Sequence, residues 1–228
     1  FNKTLDELRG TPVQGKDVVT TRDLDAPEVA DGALGSKCGA VVALDPRTGK
    51  LLVMASSPGF DPNLVEENFG KIEQITADCS PAAPLLNRAS AGLYVPGSTF
   101  KVVTAAAALE SKQYTPDSTF VDPGYCTVYG KRVNNFDTSS PFGTIDLTNA
   151  LAYSVNSVFC NIGKELGAKK ILDTAKRFGF YERPPLETPA DERLASGLYD
   201  DGRLFYPKVD ANVDAGRMAF GQERMLVT

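Results

Sequence analysis

Two apolar runs, Ala40-Val41-Val42-Ala43-Leu44 and Leu51-Leu52-Val53-Met54-Ala55, flank the polar connector Asp45-Pro46-Arg47-Thr48-Gly49-Lys50. Pro and Gly inside so short a connector predict a tight antiparallel hairpin. The near-continuous apolar character of both runs predicts that both faces are covered, with helices on either side. A second signal begins at Pro96-Gly97, which breaks what precedes it and leads into Val102-Val103-Thr104-Ala105-Ala106-Ala107-Ala108-Leu109. This Ala-rich run is strong helix, and its apolar positions keep to no single stripe, so it is expected to be buried nearly all round.

The remaining pattern fills in around these elements. Asp23 to Leu34 reads as one helix whose start is restricted by Pro27. Asp146 is a candidate cap for a helix over Leu147–Tyr153. Ser154-Val155-Asn156 interrupts, Ser157–Leu166 resumes as helix, and Gly167 ends it. Ala168–Phe178 is amphipathic, with Ile171, Leu172, Ala175 and Phe178 on one face and Lys169, Lys170 and Lys176 away from it. Tyr114 to Pro141 is rich in Pro, Gly, Asp, Asn and Ser and predicts a long ordered excursion, with at most short strands around Cys126–Tyr129. Leu64 to Pro84 is mixed and supports no assignment. Tyr181 to Asp210 reads as connection, and Met218 to Thr228 shows no cap or closing element. Phe1 to about Gly15 is polar and resembles a linker or the tail of a preceding domain, while Val18-Val19-Thr20-Thr21 is β-prone. The expected organisation is therefore a linker over 1–15 and one domain over 16–228. Its fold class is α/β (α+β), an antiparallel sheet covered by helices.

Composition narrows the function. A net charge of −5 without any Lys/Arg block argues against nucleic acid as a partner. The apolar runs fall far short of a membrane span and no signal peptide is visible; since the chain opens on Phe1, it is expected to be a piece of something longer. There is no histidine. That removes Ser-His-Asp and Cys-His schemes and every His-ligated metal site. Cys38, Cys79, Cys126 and Cys160 form no C-x-x-C pair, so no zinc cluster is expected. They allow three full pairings among which the sequence does not choose, and four reduced or buried thiols weigh the same as one disulfide. No cofactor or metal is expected.

Without histidine, an activated serine needs Lys, Tyr or a carboxylate as base. Ser98 stands at the start of the Ala-rich helix with Lys101 three residues on, on the same face. Burial beside a helix N-terminus, with no carboxylate in the segment, pushes the amine toward its neutral form, and a neutral amine beside a hydroxyl is a nucleophile with its base. Against this, about one Ser-x-x-Lys arises by chance in such a chain, and a Ser at a helix start is more often a cap. Ser154-Val155-Asn156 is likewise a capped helix-to-helix turn when taken alone. Beside Ser98 and Lys101 it gains a use: a second hydroxyl relays a proton, and a carboxamide both donates to and accepts from a peptide bond.

Together these residues resemble the transpeptidase domain of class B penicillin-binding proteins, whose superfamily carries S-x-x-K, then S-D-N or a variant, then K-T-G. GAVVALDPRTGKLLVMASSPGFDPN, LLNRASAGLYVPGSTFK, ALAYSVNSVF and FGQERMLVT occur here in family order. The resemblance implies a β-lactamase/transpeptidase-like fold with the sheet covered on both faces. It also implies an extracytoplasmic, serine-type D-Ala-D-Ala transpeptidase that cross-links peptidoglycan stem peptides and is acylated by β-lactams. The parent is expected to be membrane-anchored and to work with cell-wall synthesis proteins. Carried over by position, Ser98 is the acylated nucleophile, with its own amide N–H as one oxyanion donor; Lys101 is the base. Ser154 passes the proton to the departing D-alanine, and Asn156 holds the donor peptide. The third motif is absent: Arg47-Thr48-Gly49 sits in the first hairpin, and in the family the motif lies beyond the position of Thr228. Glu223 stands where relatives commonly have Gly. The resemblance thus implies a C-terminally truncated domain that leaves the second oxyanion donor and the carboxylate-binding side of the cleft unsupplied. The competing readings are a class D-like β-lactamase or β-lactam sensor, which shows S-x-V at the second motif, and a non-catalytic scaffold.

Overall fold

A computed structural model describes residues 25–208 and 212–228. The expected linker over 1–15, the β-prone run at 18–21 and the start of the domain at 16 lie outside the described residues. The first described element is helix α1 (Ala26–Leu34), opened by Pro27 in its first turn. It lies on the hairpin of β1 (Gly39–Leu44) and β2 (Leu51–Ser57), whose antiparallel register runs from Gly39–Ser57 to Leu44–Leu51. Alternation sends Val41, Ala43, Val53 and Ala55 against Ala30 of α1. The opposite face, with Val42, Leu44, Leu51 and Met54, opens onto a cavity of about 840 Å³ that Tyr94 and Leu186 also line. Among the described residues, then, a helix covers one face of this hairpin and the other is open, where the apolar pattern predicted cover on both.

Short helices α2 (Leu64–Glu67) and α3 (Phe69–Glu73) follow. A 3₁₀ turn over Gly97–Phe100 leads into α4 (Lys101–Glu110). This helix buries Lys101, Val103, Thr104, Ala105, Ala107 and Ala108 but leaves Val102 and Leu109 exposed, so it is seated in the core rather than enclosed by it.

The excursion after α4 holds more strand than its polar composition suggested. β3 (Thr119–Asp122) pairs antiparallel with β6 (Gly143–Asp146), and between them β4 (Tyr125–Val128) pairs with β5 (Lys131–Asn134). Asp146 caps α5 (Leu147–Ala152) by accepting from the Asn149 amide at 2.7 Å. The long α6 (Asn156–Arg177) is broken at Gly167, whose φ of 77° and ψ of 158° are not helical. Ile171, Leu172 and Ala175 face inward as their spacing predicts, whereas Phe178 is half exposed. Past a single 3₁₀ turn (Ala190–Glu192) come β7 (Gly197–Asp200) and β8 (Arg203–Phe205), then α7 (Ala215–Met218), capped by the Asp214 side chain, and β9 (Met225–Leu226). β9 closes on the other edge of β7, so the sheet order is β8-β7-β9.

The main core gathers Phe100, Val158, Phe159, Ile162, Leu198 and Met218 between α4, α6 and α7. Helices α6 and α7 approach so closely at Gly163 that a Cβ there would stand 2.3 Å from the Ala215 carbonyl oxygen. The cysteines pair as Cys38–Cys79, tying the start of β1 to the loop after α3, and Cys126–Cys160, tying β4 to α6. Among the described residues no helix is long and apolar enough to cross a membrane.

Candidate active site

The structure brings Lys101, Ser154 and Asn156 into direct contact and places Ser98 one 3₁₀ turn ahead of Lys101. Ser98 lies in the 3₁₀ turn and Lys101 opens the α-helix that continues it, so the three-residue separation sets both on the same side of the helix start, while the hydrogen bonds of the lysine amine go to Ser154 and Asn156. Ser98 is exposed, while Lys101 is 1% exposed.

The turn carrying Ser98 is held from behind by the end of the described chain. The Gly97 amide donates to the Gly221 carbonyl at 3.1 Å, and Tyr94 and Val227 exchange two amide-to-carbonyl bonds of 2.8 Å. The buried Thr104 hydroxyl donates to the Ala219 carbonyl at 2.8 Å. Gly221 has a φ of 75°, and a Cβ on it would lie 2.0 Å from the Gly97 oxygen, so this approach requires glycine.

On the other lip, α5 ends in a pair of closing bonds: the Ser154 amide donates to Leu151 O at 3.0 Å and the Val155 amide to Ala150 O at 2.9 Å. This is the Schellman arrangement, in which glycine is the usual left-handed residue. Here Ser154 occupies that position with φ 56°. A serine there stores backbone strain of about 1 kcal/mol, the kind that persists where surrounding contacts over-determine it. The return is that both its carbonyl and its hydroxyl face Lys101. The Lys101 Nζ lies 2.7 Å from Ser154 O, 3.0 Å from Ser154 Oγ and 2.6 Å from Asn156 Oδ1. The Asn156 Nδ2 in turn donates to the Asn134 carbonyl at 2.9 Å, which fixes the carboxamide orientation. Neither Ser154 nor Asn156 caps the following helix with its side chain, as a plain turn would have them do.

Burial is the cause that pushes the Lys101 amine down from 10.5 to about 8. The partners suit either protonation state. An ammonium donates to all three oxygens; a neutral amine donates to the two carbonyl oxygens and accepts from the Ser154 hydroxyl. The Phe159 ring, 5.6 Å from Nζ at its centroid, closes the apolar side of the pocket. Chemically, the arrangement offers an exposed hydroxyl, a buried amine poised near neutral pH, a second hydroxyl on that amine and an oriented carboxamide. Among the described residues no cluster of His, Cys, Asp and Glu could hold a metal. Three contributors went unnoticed in the sequence: Asn134 through its carbonyl, Asn135 beside it, and Gly221. The Asn134-Asn135 pair reads as turn composition, and nothing local marks it as support for Asn156.

Residues 39–196 match the family model described as the penicillin binding protein transpeptidase domain. The chain is 36% identical over 207 residues to the peptidoglycan D,D-transpeptidase PbpA of Mycobacterium tuberculosis, covering 83% of this chain and 41% of that protein. It is 30% identical over 180 residues to the peptidoglycan D,D-transpeptidase MrdA of Escherichia coli, covering 78% and 28%. Among solved structures, penicillin-binding protein A of M. tuberculosis in its imipenem acyl-enzyme complex superposes with a TM-score of 0.77 at 31% identity, covering 100% of this chain and 52% of that one. The chain thus spans less than half the length of these curated relatives.

Proposed function

The chain belongs to the penicillin-binding protein transpeptidase family, and from that premise we propose that it carries the acylation centre of a peptidoglycan D,D-transpeptidase. The observation that carries the proposal is the buried Lys101 amine, brought to about 8 and held between Ser154 and Asn156 one turn from an exposed serine. In the proposed reaction, neutral Lys101 takes the proton of Ser98 as its Oγ attacks the carbonyl of the penultimate D-alanine of a stem peptide. The Ser98 amide N–H is one donor to the oxyanion. Collapse of the adduct breaks the peptide bond, and the amine of the terminal D-alanine leaves with a proton passed on by Ser154. The ester on Ser98 is then attacked by an acceptor amine, which forms the cross-link and restores the serine. Asn156 aligns the donor peptide by hydrogen bonds to its backbone. With a β-lactam, attack by Ser98 opens the lactam ring and the nitrogen stays tethered.

The two disulfides fit an extracytoplasmic setting, since such bonds persist in oxidising compartments. That location, a membrane-anchored parent and cell-wall synthesis proteins as partners are part of the same proposal. The test is fluorescent penicillin labelling of the complete protein followed by mass spectrometry. A slowly hydrolysed adduct on the peptide containing Ser98, lost in Ser98→Ala, is expected. An adduct elsewhere overturns the role of Ser98, fast turnover points to a β-lactamase, and no labelling points to a scaffold.

A further inference from the structure

The excursion between α4 and α5 encloses a carboxylate that the proposed chemistry does not use. Asp122, at the end of β3, is 1% exposed. Its Oδ1 accepts from the Gly124 amide at 2.8 Å and from the Ser157 hydroxyl; its Oδ2 accepts from the Phe142 amide at 3.0 Å. The Asn135 Nδ2 donates to both oxygens, at 2.9 and 3.0 Å. Every partner is a donor, so an ionised carboxylate accepts them all, whereas an amide or a protonated acid would set a donor against a donor. Burial alone would raise its pKa, but the hydrogen bonds from Ser157, Phe142, Gly124 and Asn135 outweigh that and the net shift is downward.

The contacts made by these partners converge on Asn156. Asn135 Oδ1 accepts from the Ser157 amide at 3.0 Å, and Ser157, fully buried, is the residue after Asn156. The residue before Asn135 supplies the carbonyl that holds Asn156 Nδ2. Asp122 therefore governs both anchors of Asn156: the backbone that carries it and the carbonyl that orients its carboxamide.

We propose that Asp122 is a positioning residue for the Ser154–Asn156 lip of the cleft, acting through Asn135 and Ser157 to set where the Asn156 carboxamide stands against Lys101 and the bound peptide. The role rests on the function proposed above for Asn156. An error of about 1 Å in such a group lowers the chemical step by on the order of 100-fold, with binding affected less.

The test uses the complete protein and measures the acylation constant k2, the dissociation constant Ks and the final labelled fraction with fluorescent penicillin. Asp122→Asn is expected to lower k2 by about 10- to 100-fold at near-full labelling. The exchange variant, Asp122→Asn with Asn135→Asp, restores an Asn–Asp pair of reversed polarity. It keeps an acceptor for the Ser157 amide and forfeits the Phe142 bond. It is expected to raise k2 at least about threefold above that of Asp122→Asn. Wild-type k2 in Asp122→Asn overturns the proposal. So does a reduced labelled fraction at unchanged k2, which marks a purely structural role, and so does an exchange variant no better than the single one. Where Asp122→Asn does not accumulate, Ser157→Ala deletes one donor with a smaller disturbance. It should lower k2 by about 3- to 10-fold, and an unchanged k2 there overturns the role equally. Absence of labelling in the unaltered protein overturns the proposed function and this inference with it; labelling of the unaltered protein with an insensitive Asp122 overturns this inference alone.

Discussion

If Lys101 is the base, acylation must follow its deprotonation, and burial fixes where that occurs. At an ordinary 10.5, only about 0.03% of the amine is neutral at pH 7; at about 8 the fraction is roughly 10%, some 300-fold more. The second-order constant for penicillin acylation is therefore expected to rise about tenfold per pH unit below the midpoint. Between pH 6.5 and 9 it should gain roughly 30-fold, then level off. The groups touching Nζ are Ser154, Asn156 and the Phe159 ring, none of which carries charge, so the inflection belongs to the lysine itself. The assay is stopped-flow or quenched labelling from pH 6 to 10, corrected for spontaneous hydrolysis of the drug. Stability supplies an independent check with a definite sign. The folded amine has the lower pKa, so between about 8 and 10.5 the unfolded chain binds more protons and stability rises with pH through that window. Below about 8 both states are charged, and the cost of burying the ammonium, roughly 3 kcal/mol, is present in full. A flat rate profile, or an inflection near 10.5, would refute the assignment of Lys101 as base.

Three further outcomes are expected. Lys101→Arg, which stays protonated, should lose acylation by at least about 1000-fold while unfolding cooperatively; a wild-type rate removes the role. Gly221→Ala forces a Cβ to within 2.0 Å of the Gly97 oxygen in a left-handed conformation, so a loss of roughly 3 kcal/mol and slower acylation at Ser98 are expected, read by denaturant unfolding and k2. Replacing both Cys126 and Cys160 by Ala removes a cross-link spanning 34 residues and should cost about 3 to 4 kcal/mol; an unshifted unfolding midpoint would count against that bond as a stabilising element.

What the sequence made legible is what local chemistry determines. The Pro-Gly connector announced the β1–β2 hairpin, Asp146 announced its helix, and Gly167 announced the break inside α6. The absence of histidine singled out Lys101 as the base for Ser98, whereas Ser154 and Asn156 read as a capped turn by themselves and joined the constellation through the family resemblance. Elements whose partners lie far along the chain stayed hidden. β3 pairs with β6 some twenty residues away, across a hairpin of its own, and neither strand has enough length to show alternation. β7 and β8 were missed although Asp201-Gly202 between them is a strong hairpin signal, because the Pro-rich approach masked it. Cysteine pairing depends on which loops meet, which composition does not encode. Phe178 followed the helical period but lies where α6 ends, beyond the reach of the core. The buried Asp122 looked like one more turn residue before Pro-Gly, since burial of a carboxylate is a property of the tertiary environment.

The two lips of the cleft are carried by different elements, which meet below it in the main core. Ser98 stands in the 3₁₀ turn ahead of α4, backed by the segment around Gly221, whereas Ser154 and Asn156 stand at the α5–α6 junction, which the excursion clamps through Asp122 and through the Cys126–Cys160 bond. In the cleft, the direct link between them is the Lys101 amine, which donates three hydrogen bonds as an ammonium and two as a free base. Loss of that proton keeps all three contacts, since the free base accepts from the Ser154 hydroxyl, but turns charge-assisted bonds into weaker neutral ones in the same state that makes the amine reactive. Compliance of the cleft and competence for acylation are expected to rise together with pH. Relaxation dispersion on the Asn156 side-chain amide across pH 7 to 9 should show exchange growing as the amine is neutralised; a constant amplitude would mean that the shared core, and not the amine, sets the stiffness of the cleft.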